Sequence, residues 1–314
     1  MARKKKGDVH GVLVVDKPKG PTSHDVVAWA RRALGTRAVG HAGTLDPMAT
    51  GVLVLAVGEG TKLVRWLTDD DKIYRATVSL GAETDSLDAE GEVVERAEVP
   101  PFTLEDARRA AEAFVGTITQ RPPIFSAIKV DGEPLHARAR RGEAVEAPER
   151  QVTVRRLEIL AVRPDAIDLE VEASKGFYVR SLGGDLARAM GTRGHLVALR
   201  RVQSGPFGLD EAFDGEALAR AADREAPDEA ARAEARARLL ELAAACRGMP
   251  RVTLDERGET DAAHGRAIAL RHASGAEAVP DGCEPVALLA PSGQLCAVGK
   301  RAGGALRVVR GVRL

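Results

Sequence analysis

The feature that most limits the fold of this sequence is the irregular order of its apolar strands and amphipathic helices. Continuous apolar runs at "GVLVV" (11–15) and "VLVLAV" (52–57) are typical of buried strands. The segment "KIYRATVSL" (72–80) alternates instead, which predicts a strand with one apolar face. The sequence has no regular βαβ repetition, and no GxGxxG follows the first strand. This order therefore predicts an α+β fold rather than a doubly wound nucleotide-binding sheet.

Capping residues and changes of composition divide the chain into regions. Ser23 is predicted to be the N-cap of the helix that follows it. An Ala/Glu/Arg-rich stretch at about 214–245 has high helix propensity and is predicted as a helical insert. Short apolar pieces, separated by glycines and charged turns, predict a small β-rich domain over 248–314. The main domain is accordingly predicted to span 10–247, after a basic, flexible tail at 1–9.

The composition argues against several classes of function. Basic and acidic residues number 46 each, so the net charge gives no support for nonspecific nucleic-acid binding. No apolar run is long enough to cross a bilayer, and the basic N-terminus lacks the apolar segment of a signal peptide, which together predict a cytoplasmic protein. The three cysteines are far apart and match no metal-ligand spacing. The sequence contains neither a P-loop nor a GxGxxG after its first strand, so neither ATP nor NAD chemistry is expected.

A glycine-rich loop at 40–51, "GHAGTLDPMATG", contains the first candidate for chemistry. Asp46 precedes a proline, which favours an extended or turn conformation, and a turn-forming aspartate is the simplest interpretation. Three features favour catalysis instead: the loop leads into an apolar strand, small residues flank the carboxylate, and His41 lies in the same loop. No second His or Cys lies at metal-ligand spacing from His41, and on this pattern alone it is a loop histidine.

Other residues could act with Asp46, although each also has an ordinary structural interpretation. Arg180 falls near the start of a predicted helix, where a lone arginine would normally face solvent. If it met Asp46, it would keep that carboxylate ionised and ready as a nucleophile. Tyr74 is either a core tyrosine or a residue that packs its ring on a base and uses its hydroxyl in proton transfer. Lys17 and Lys62 sit beside loops, where they are phosphate contacts or solvated charges.

Five sequence blocks resemble the TruB-type tRNA pseudouridine synthases, relatives of dyskerin, in their order and spacing. The blocks are "GVLVVDKPKGPTSHDVV", "GHAGTLDPMATGVLVLAVGEGTKL", "KIYRATVSLGAETDSLDAEG", "QRPPIFSAIKVDGEPLHARARRG" and "KGFYVRSLGGDLA…GTRGHLVALRR". Together they cover roughly residues 10–210. The resemblance implies a catalytic domain with a mixed or antiparallel sheet flanked by helices, followed by a small PUA-like RNA-binding domain.

The resemblance also implies roles for particular residues. Asp46 falls on the family's catalytic aspartate, Tyr74 on the tyrosine that packs on the target base, and Arg180 on the arginine paired with the carboxylate. Leu199 matches an apolar residue of the uracil pocket, and His41 matches the histidine that enters the T loop where the flipped base has left. Further pocket or RNA-contacting positions correspond to Lys17, Lys62, Asp88 and Tyr178.

The activity that the resemblance implies is isomerisation of uridine 55 in the T loop of tRNA to pseudouridine, by a monomer that uses no cofactor or metal and also contacts the acceptor stem. A base in a folded loop must be extruded before an enzyme can reach its glycosidic bond. Three routes stay open: Asp46 attacks C1′ of the ribose, attacks C6 of uracil, or assists elimination of uracil. A tRNA-binding folding chaperone, with or without catalysis, is an alternative function. An Asp–His hydrolase would need a second acid or base at matched spacing, which the sequence does not supply.

Overall fold

The computed structural model describes residues 9–125, 129–130, 133–134, 141 and 147–313. The strands, in chain order, are β1 (Gly11–Lys17), β2 (Val39–His41), β3 (Thr50–Val57), β4 (Lys72–Leu80), β5 (Ala82–Thr84), β6 (Val93–Arg96), β7 (Gly116–Gln120), β8 (Lys129–Val130), β9 (Glu133–Pro134), β10 (Arg150–Arg163), β11 (Ala166–Ala173), β12 (Gly194–Ser204), β13 (Phe207–Gly208), β14 (Phe213–Asp214), β15 (Arg251–Leu254), β16 (Ile268–Ala269), β17 (Ala273–Ser274), β18 (Val286–Leu289), β19 (Leu295–Ala302) and β20 (Ala305–Gly311). The α-helices are α1 (Ser23–Leu34), α2 (Val64–Asp69), α3 (Leu104–Glu112), α4 (Val179–Ala189), α5 (Gly215–Ala221), α6 (Glu229–Ala237), α7 (Leu242–Ala245) and α8 (Glu256–Ala263). The flexible tail predicted at 1–9 lies, apart from residue 9, outside the described residues.

The chain divides into two compact units. The first consists of Met1–Leu45, Val52–Thr68 and Gly205–Leu314, and the second of Asp46–Gly51 and Asp69–Ser204. The domain boundary predicted at 247/248 falls inside the first unit, where C-terminal strands share one apolar core with N-terminal strands. No helix within the described ranges is long and apolar enough to span a membrane.

In the first unit, β1 lies between β14, to which it is parallel, and β3, while β2 pairs antiparallel with β3. The apolar runs predicted as buried strands are indeed buried. Helices α5 and α6 pack against α1. They belong to the Ala-rich stretch predicted to be helical at 214–245, which forms three short helices, α5, α6 and α7.

The start of α1 differs from the prediction, because Thr22 and not Ser23 is the N-cap. Thr22 Oγ1 accepts a hydrogen bond from the Asp25 N–H at 3.1 Å, and the Asp25 carboxylate accepts one from the Thr22 N–H at 2.9 Å. This reciprocal pair is a capping box. Ser23 is the first helical residue and is only 1% exposed. Its hydroxyl accepts a hydrogen bond from the Leu45 N–H at 2.9 Å and donates one to the Leu45 carbonyl at 3.0 Å.

The C-terminal part of the first unit is β-rich, as predicted. Its strands form one sheet in the order β16-β20-β19-β18-β15-β17. Apolar side chains of these strands and of α8 form a core of their own, which includes Val252, Ile268, Val286, Leu288 and Leu306. Together with the mixed helices and strands of the rest of the chain, this confirms the α+β prediction.

The second unit is built on the strand order β12-β4-β11-β10-β7, in which these neighbours are antiparallel. The alternation predicted for β4 is confirmed, since Ala76, Val78 and Leu80 are buried. Helix α3 packs on β10, and α4 packs on β12 and β4. Gly183 allows the close approach of α4, because a Cβ there would lie 3.0 Å from Leu196 Cδ2 and 3.3 Å from Val78 Cγ2.

Strand β12 pairs on its other edge with Thr50 and Gly51, the first residues of β3. A Cβ on Gly51 would lie 2.1 Å from the Arg201 carbonyl oxygen, and its φ of 103° is itself unfavourable for other residues. Two irregularities interrupt the pairing of β12 with β4, at Val197 and at Val202. The four pairs between them run from Ala198 opposite Thr77 to Arg201 opposite Tyr74.

Candidate active site

Asp46 lies in a packed turn directly before β3. The Ala49 N–H donates a hydrogen bond to the Asp46 carbonyl at 3.1 Å, which closes the turn. Met48 and Ala49 are buried, whereas the Asp46 side chain is 34% exposed. The loop is therefore less flexible than its glycine content suggests, and it presents one carboxylate that solvent or a ligand can reach.

Arg180 is held in the first turn of α4, near the start of the helix as predicted, but it is buried rather than solvated. Gln120 fixes the residue that begins this helix: its side-chain amide donates to the Tyr178 carbonyl at 3.0 Å and accepts from the Tyr178 N–H at 2.8 Å. Ser181 Oγ donates to the Arg121 carbonyl at 2.8 Å. The start of α4 is thus tied to the end of β7 on both sides of Arg180.

The guanidinium of Arg180 joins two carboxylates. Its Nε lies 3.0 Å from Asp46 Oδ2, and its Nη1 lies 3.2 Å from Asp88 Oδ2. The Ser86 carbonyl accepts a hydrogen bond from Nη1 at 3.0 Å, and the Phe125 carbonyl accepts one from Nη2 at 3.0 Å. Nη1 and Nη2 are hydrogen-bonded and Nε is an ion-pair contact of Asp46, so this buried guanidinium is held in one orientation. Its charge favours the anionic form of Asp46.

Tyr74 and Leu199 lie on one face of the sheet. Tyr74 on β4 is directly opposite Arg201 on β12, and Leu199 is opposite Ala76, so the tyrosine and the leucine are diagonal neighbours. Leu199 is buried, and Tyr74 is half-buried. The two residues therefore combine a partly open aromatic ring with an apolar wall, which suits a flat base.

Tyr178 is the N-cap residue of α4, two positions before Arg180. The guanidinium of Arg150 lies 5.6 Å from the centroid of the Tyr178 ring, within the range of a cation–π contact. Tyr178 is thus a second half-buried aromatic ring of this unit, after Tyr74, and Arg150 places a positive charge against it. Both features are compatible with the predicted binding of RNA.

Three predicted site residues belong to the first unit. His41, at the end of β2, is half-buried, and its ring meets that of His24 edge-on, with centroids 5.3 Å apart and an angle of 86° between the planes. Lys62 Nζ donates to the Glu59 carboxylate at 2.6 Å and to the Gly311 carbonyl at 2.9 Å. Lys17 is the last residue of β1 and has no exposed surface, so its ammonium is not the surface phosphate contact that its place beside a loop predicts.

Two residues that the sequence-based prediction missed also contribute to the geometry. Ser86 supplies one carbonyl to Arg180, and Gln120 positions the start of the helix that carries it. The only sequence signal for Ser86 is its place two residues before an aspartate, a spacing that permits a local hydrogen bond. Nothing in the sequence marks Gln120. Within the described residues, no group of three or more His, Cys, Asp and Glu residues could hold a metal ion.

Comparisons with known proteins agree with this arrangement. Residues 31–179 match the family described as "TruB family pseudouridylate synthase (N terminal domain)", and residues 180–245 match "tRNA pseudouridylate synthase B C-terminal domain". The second match extends through α5, α6 and α7, so the stretch predicted as an insert lies within the family domain.

Among individual proteins, the "tRNA pseudouridine synthase B" of Arthrobacter sp. (strain FB24) is 44% identical over 301 residues, 94% of each chain. The protein of the same name from Nocardia farcinica (strain IFM 10152) is 55% identical over 215 residues, 67% of this chain and 70% of that one. A solved structure, "Crystal Structure of a Cbf5-Nop10-Gar1 Complex", is similar with a TM-score of 0.72 and 26% identity, covering 96% of this chain and 84% of the other. On these matches the chain belongs to the TruB family of pseudouridylate synthases.

Proposed function

We propose that this chain isomerises uridine 55 in the T loop of tRNA to pseudouridine, with Asp46 as the catalytic carboxylate and without a cofactor. The observation that carries the proposal is the contact of a reachable aspartate, Asp46, with the buried guanidinium of Arg180 at 3.0 Å. Relatives named "tRNA pseudouridine synthase B", one of them 44% identical over 94% of the chain, support tRNA as the substrate.

The proposed reaction needs no other reactant. The N1–C1′ bond of the uridine breaks, C1′ bonds to C5, the C5 proton leaves, and N1 gains a proton. Each of the three open routes, attack at C1′, attack at C6 or assisted elimination of uracil, begins from the Asp46 anion. The guanidinium of Arg180, itself shared with Asp88, favours that anion before the substrate arrives.

The remaining residues of the second unit form the proposed base pocket. Tyr74 packs its ring on the flipped uracil and brings its hydroxyl towards the C5 proton, while Leu199 lines the same face of the sheet. Asp88 orients Arg180. Tyr178 contributes an aromatic surface at the start of α4, with Arg150 adding positive charge behind it.

Recognition of the tRNA rests on loop shape and on extruded bases, so it is compatible with a net charge of zero. In this proposal His41 enters the space that the flipped base leaves. Lys62 contacts the RNA in this proposal. Lys17, which is fully buried and donates to the Pro18 carbonyl at 2.9 Å, supports the loop after β1 instead. The β-rich C-terminal strands contact the acceptor stem, and the protein works as a monomer in the cytoplasm.

The test uses an unmodified tRNA transcript and a second transcript in which uridine 55 is replaced by cytidine. Wild-type protein should form pseudouridine only in the first. Asp46→Asn should slow its formation by roughly 10³-fold or more, as expected when a reacting group is removed, while tRNA binding is kept. A matched control is Asp185→Asn, which also removes a carboxylate paired with an arginine, Arg188 at 2.7 Å, and should leave the rate unchanged.

The outcomes separate the candidate functions. Pseudouridine formation by Asp46→Asn at the wild-type rate would overturn the role of this aspartate. Wild-type protein that binds the transcript but leaves all uridines unchanged would support the folding chaperone instead. Conversion of the cytidine-55 transcript at another uridine would overturn the proposed position.

A further inference from the structure

A turn formed by residues 84–91, which we call the 84–91 turn, joins β5 to β6 and carries Asp88. Ser86 Oγ donates a hydrogen bond to Asp88 Oδ1 at 2.6 Å, and the Glu90 N–H donates one to the same oxygen at 3.1 Å. Asp88 Oδ2 contacts Arg180 Nη1. The two oxygens of one buried carboxylate therefore have separate partners, Oδ1 within the turn and Oδ2 on the guanidinium.

The backbone of the 84–91 turn is constrained at several points. Leu87 has a φ of 61°, in the left-handed region that bulky residues seldom adopt, and its carbonyl accepts a hydrogen bond from the Leu196 N–H at 3.0 Å. Gly91 leaves room for the serine, because a Cβ at this position would lie 2.2 Å from Ser86 Oγ. Unfavourable backbone conformations persist where the surroundings impose them, and they are frequent at functional sites.

Ser86 acts on Arg180 in two ways. Its carbonyl accepts a hydrogen bond from Arg180 Nη1 at 3.0 Å, and its hydroxyl holds the carboxylate that contacts the same nitrogen. The guanidinium is planar and rigid, so an orientation fixed at Nη1 is also fixed at Nε, the atom that faces Asp46. Ser86, through its carbonyl and its hydroxyl, thus sets the orientation of the guanidinium that faces Asp46.

We propose that Ser86 is a positioning residue of the pseudouridylate synthase site, which orients the Arg180 guanidinium towards Asp46 through its carbonyl and through Asp88. This inference rests on the proposed function, because it assigns Asp46 and Arg180 to the reaction. Ser86 keeps Asp88, Arg180 and Asp46 in one geometry. The rate of the chemical step therefore depends on a hydroxyl outside the proposed base pocket.

The experiment measures single-turnover pseudouridine formation in a tRNA transcript, together with the Kd for that transcript, using the full chain. Ser86→Ala should lower the single-turnover rate about 10- to 100-fold, because the hydroxyl that holds Asp88 is lost, while the Kd changes less than about 3-fold. Ser86→Thr keeps a hydroxyl at the same position and should restore the rate to within about 3-fold of wild type.

A matched control is Thr77→Val. Thr77 Oγ1 also donates to a carboxylate oxygen, Asp168 Oδ1 at 2.7 Å, but it lies on the opposite face of β4 from Tyr74. Loss of the Thr77 hydroxyl should lower the stability of the fold without changing the reaction rate.

A second experiment uses the Asp88→Asn variant as the background. If Ser86 acts through Asp88, adding Ser86→Ala to Asp88→Asn should slow the reaction little further.

Three results would overturn the inference: a Ser86→Ala rate equal to wild type, a rate loss matched by an equal loss of tRNA affinity, or an undiminished effect of Ser86→Ala in the Asp88→Asn background. Each of these can occur while wild type converts uridine 55 and Asp46→Asn does not, so failure here is distinct from failure of the proposed function.

Discussion

Replacement of Arg180 by methionine would leave two carboxylates without the guanidinium that contacts both. The side chains of Arg180 and Asp88 are 4% and 6% exposed, so water cannot take the place of the missing charge. Removal of one partner from a buried ion pair destabilises a protein by about 3–5 kcal/mol. At about 2–4 °C per kcal/mol, Arg180→Met should lower the melting temperature by about 6–20 °C.

The assay that tests the cause is a double-mutant cycle measured by urea unfolding. Asp88→Asn removes the negative charge but keeps an oxygen for Ser86 and Glu90, the two donors that it faces within the turn. If the loss in Arg180→Met comes from an uncompensated buried carboxylate, the double variant should be more stable than the sum of the single effects by about 1–3 kcal/mol. Additivity within about 0.5 kcal/mol would refute the reasoning.

A matched control comes from the same helix. Arg188 pairs with Asp185 and Glu83 on the surface, and its side chain is 41% exposed. Arg188→Met should therefore cost less than about 1 kcal/mol, as is usual for exposed ion pairs. Equal losses for Arg180→Met and Arg188→Met would show that burial is not what makes the first pair important.

Three further predictions concern stability. Gly51→Ala should cost about 2–4 kcal/mol, because its Cβ would meet the Arg201 carbonyl at 2.1 Å with φ at 103°; an unchanged melting temperature would contradict this. Ser23→Ala leaves the buried N–H and carbonyl of Leu45 without their partner and should cost about 1–3 kcal/mol in urea unfolding. Burial, followed by the Arg201 charge, lowers the pKa of Lys72 from 10.5 to about 8. Because the folded protein holds this proton less tightly, wild-type stability relative to Lys72→Met should rise by about 3 kcal/mol as the pH increases from about 8 to 10.5, and a constant difference would contradict the cause given.

Much of the site could be predicted because its chemistry lies in short contiguous motifs. Asp46 could be placed in a loop before a buried strand, and Arg180 at the start of a helix, from local pattern alone. Their contact could not, because the two residues are far apart in the sequence and only the tertiary fold brings them together. The family resemblance supplied that pairing, and the structure places Arg180 Nε 3.0 Å from Asp46 Oδ2.

The remaining features depend on packing that local patterns do not record. Thr22 and Ser23 are both good cap residues, and only Asp25, three positions after Thr22, distinguishes them. Lys17 has the sequence context of a loop lysine, yet it ends a buried strand. Propensity rules assign a polar side chain to the surface, whereas tertiary contacts decide which polar groups are enclosed and satisfied.

The two irregularities of β12 have a consequence for insertions and deletions. In a regular strand only every second side chain faces the same way, yet Leu196 and Leu199, three positions apart, both pair with inward-facing residues of β4. The extra residue at Val197 makes this spacing possible. Loss of that one residue would turn Leu199 to the polar face while leaving the composition of the strand almost unchanged. We therefore expect the fold to tolerate a change of the side chain at Val197 better than a change in the length of this strand.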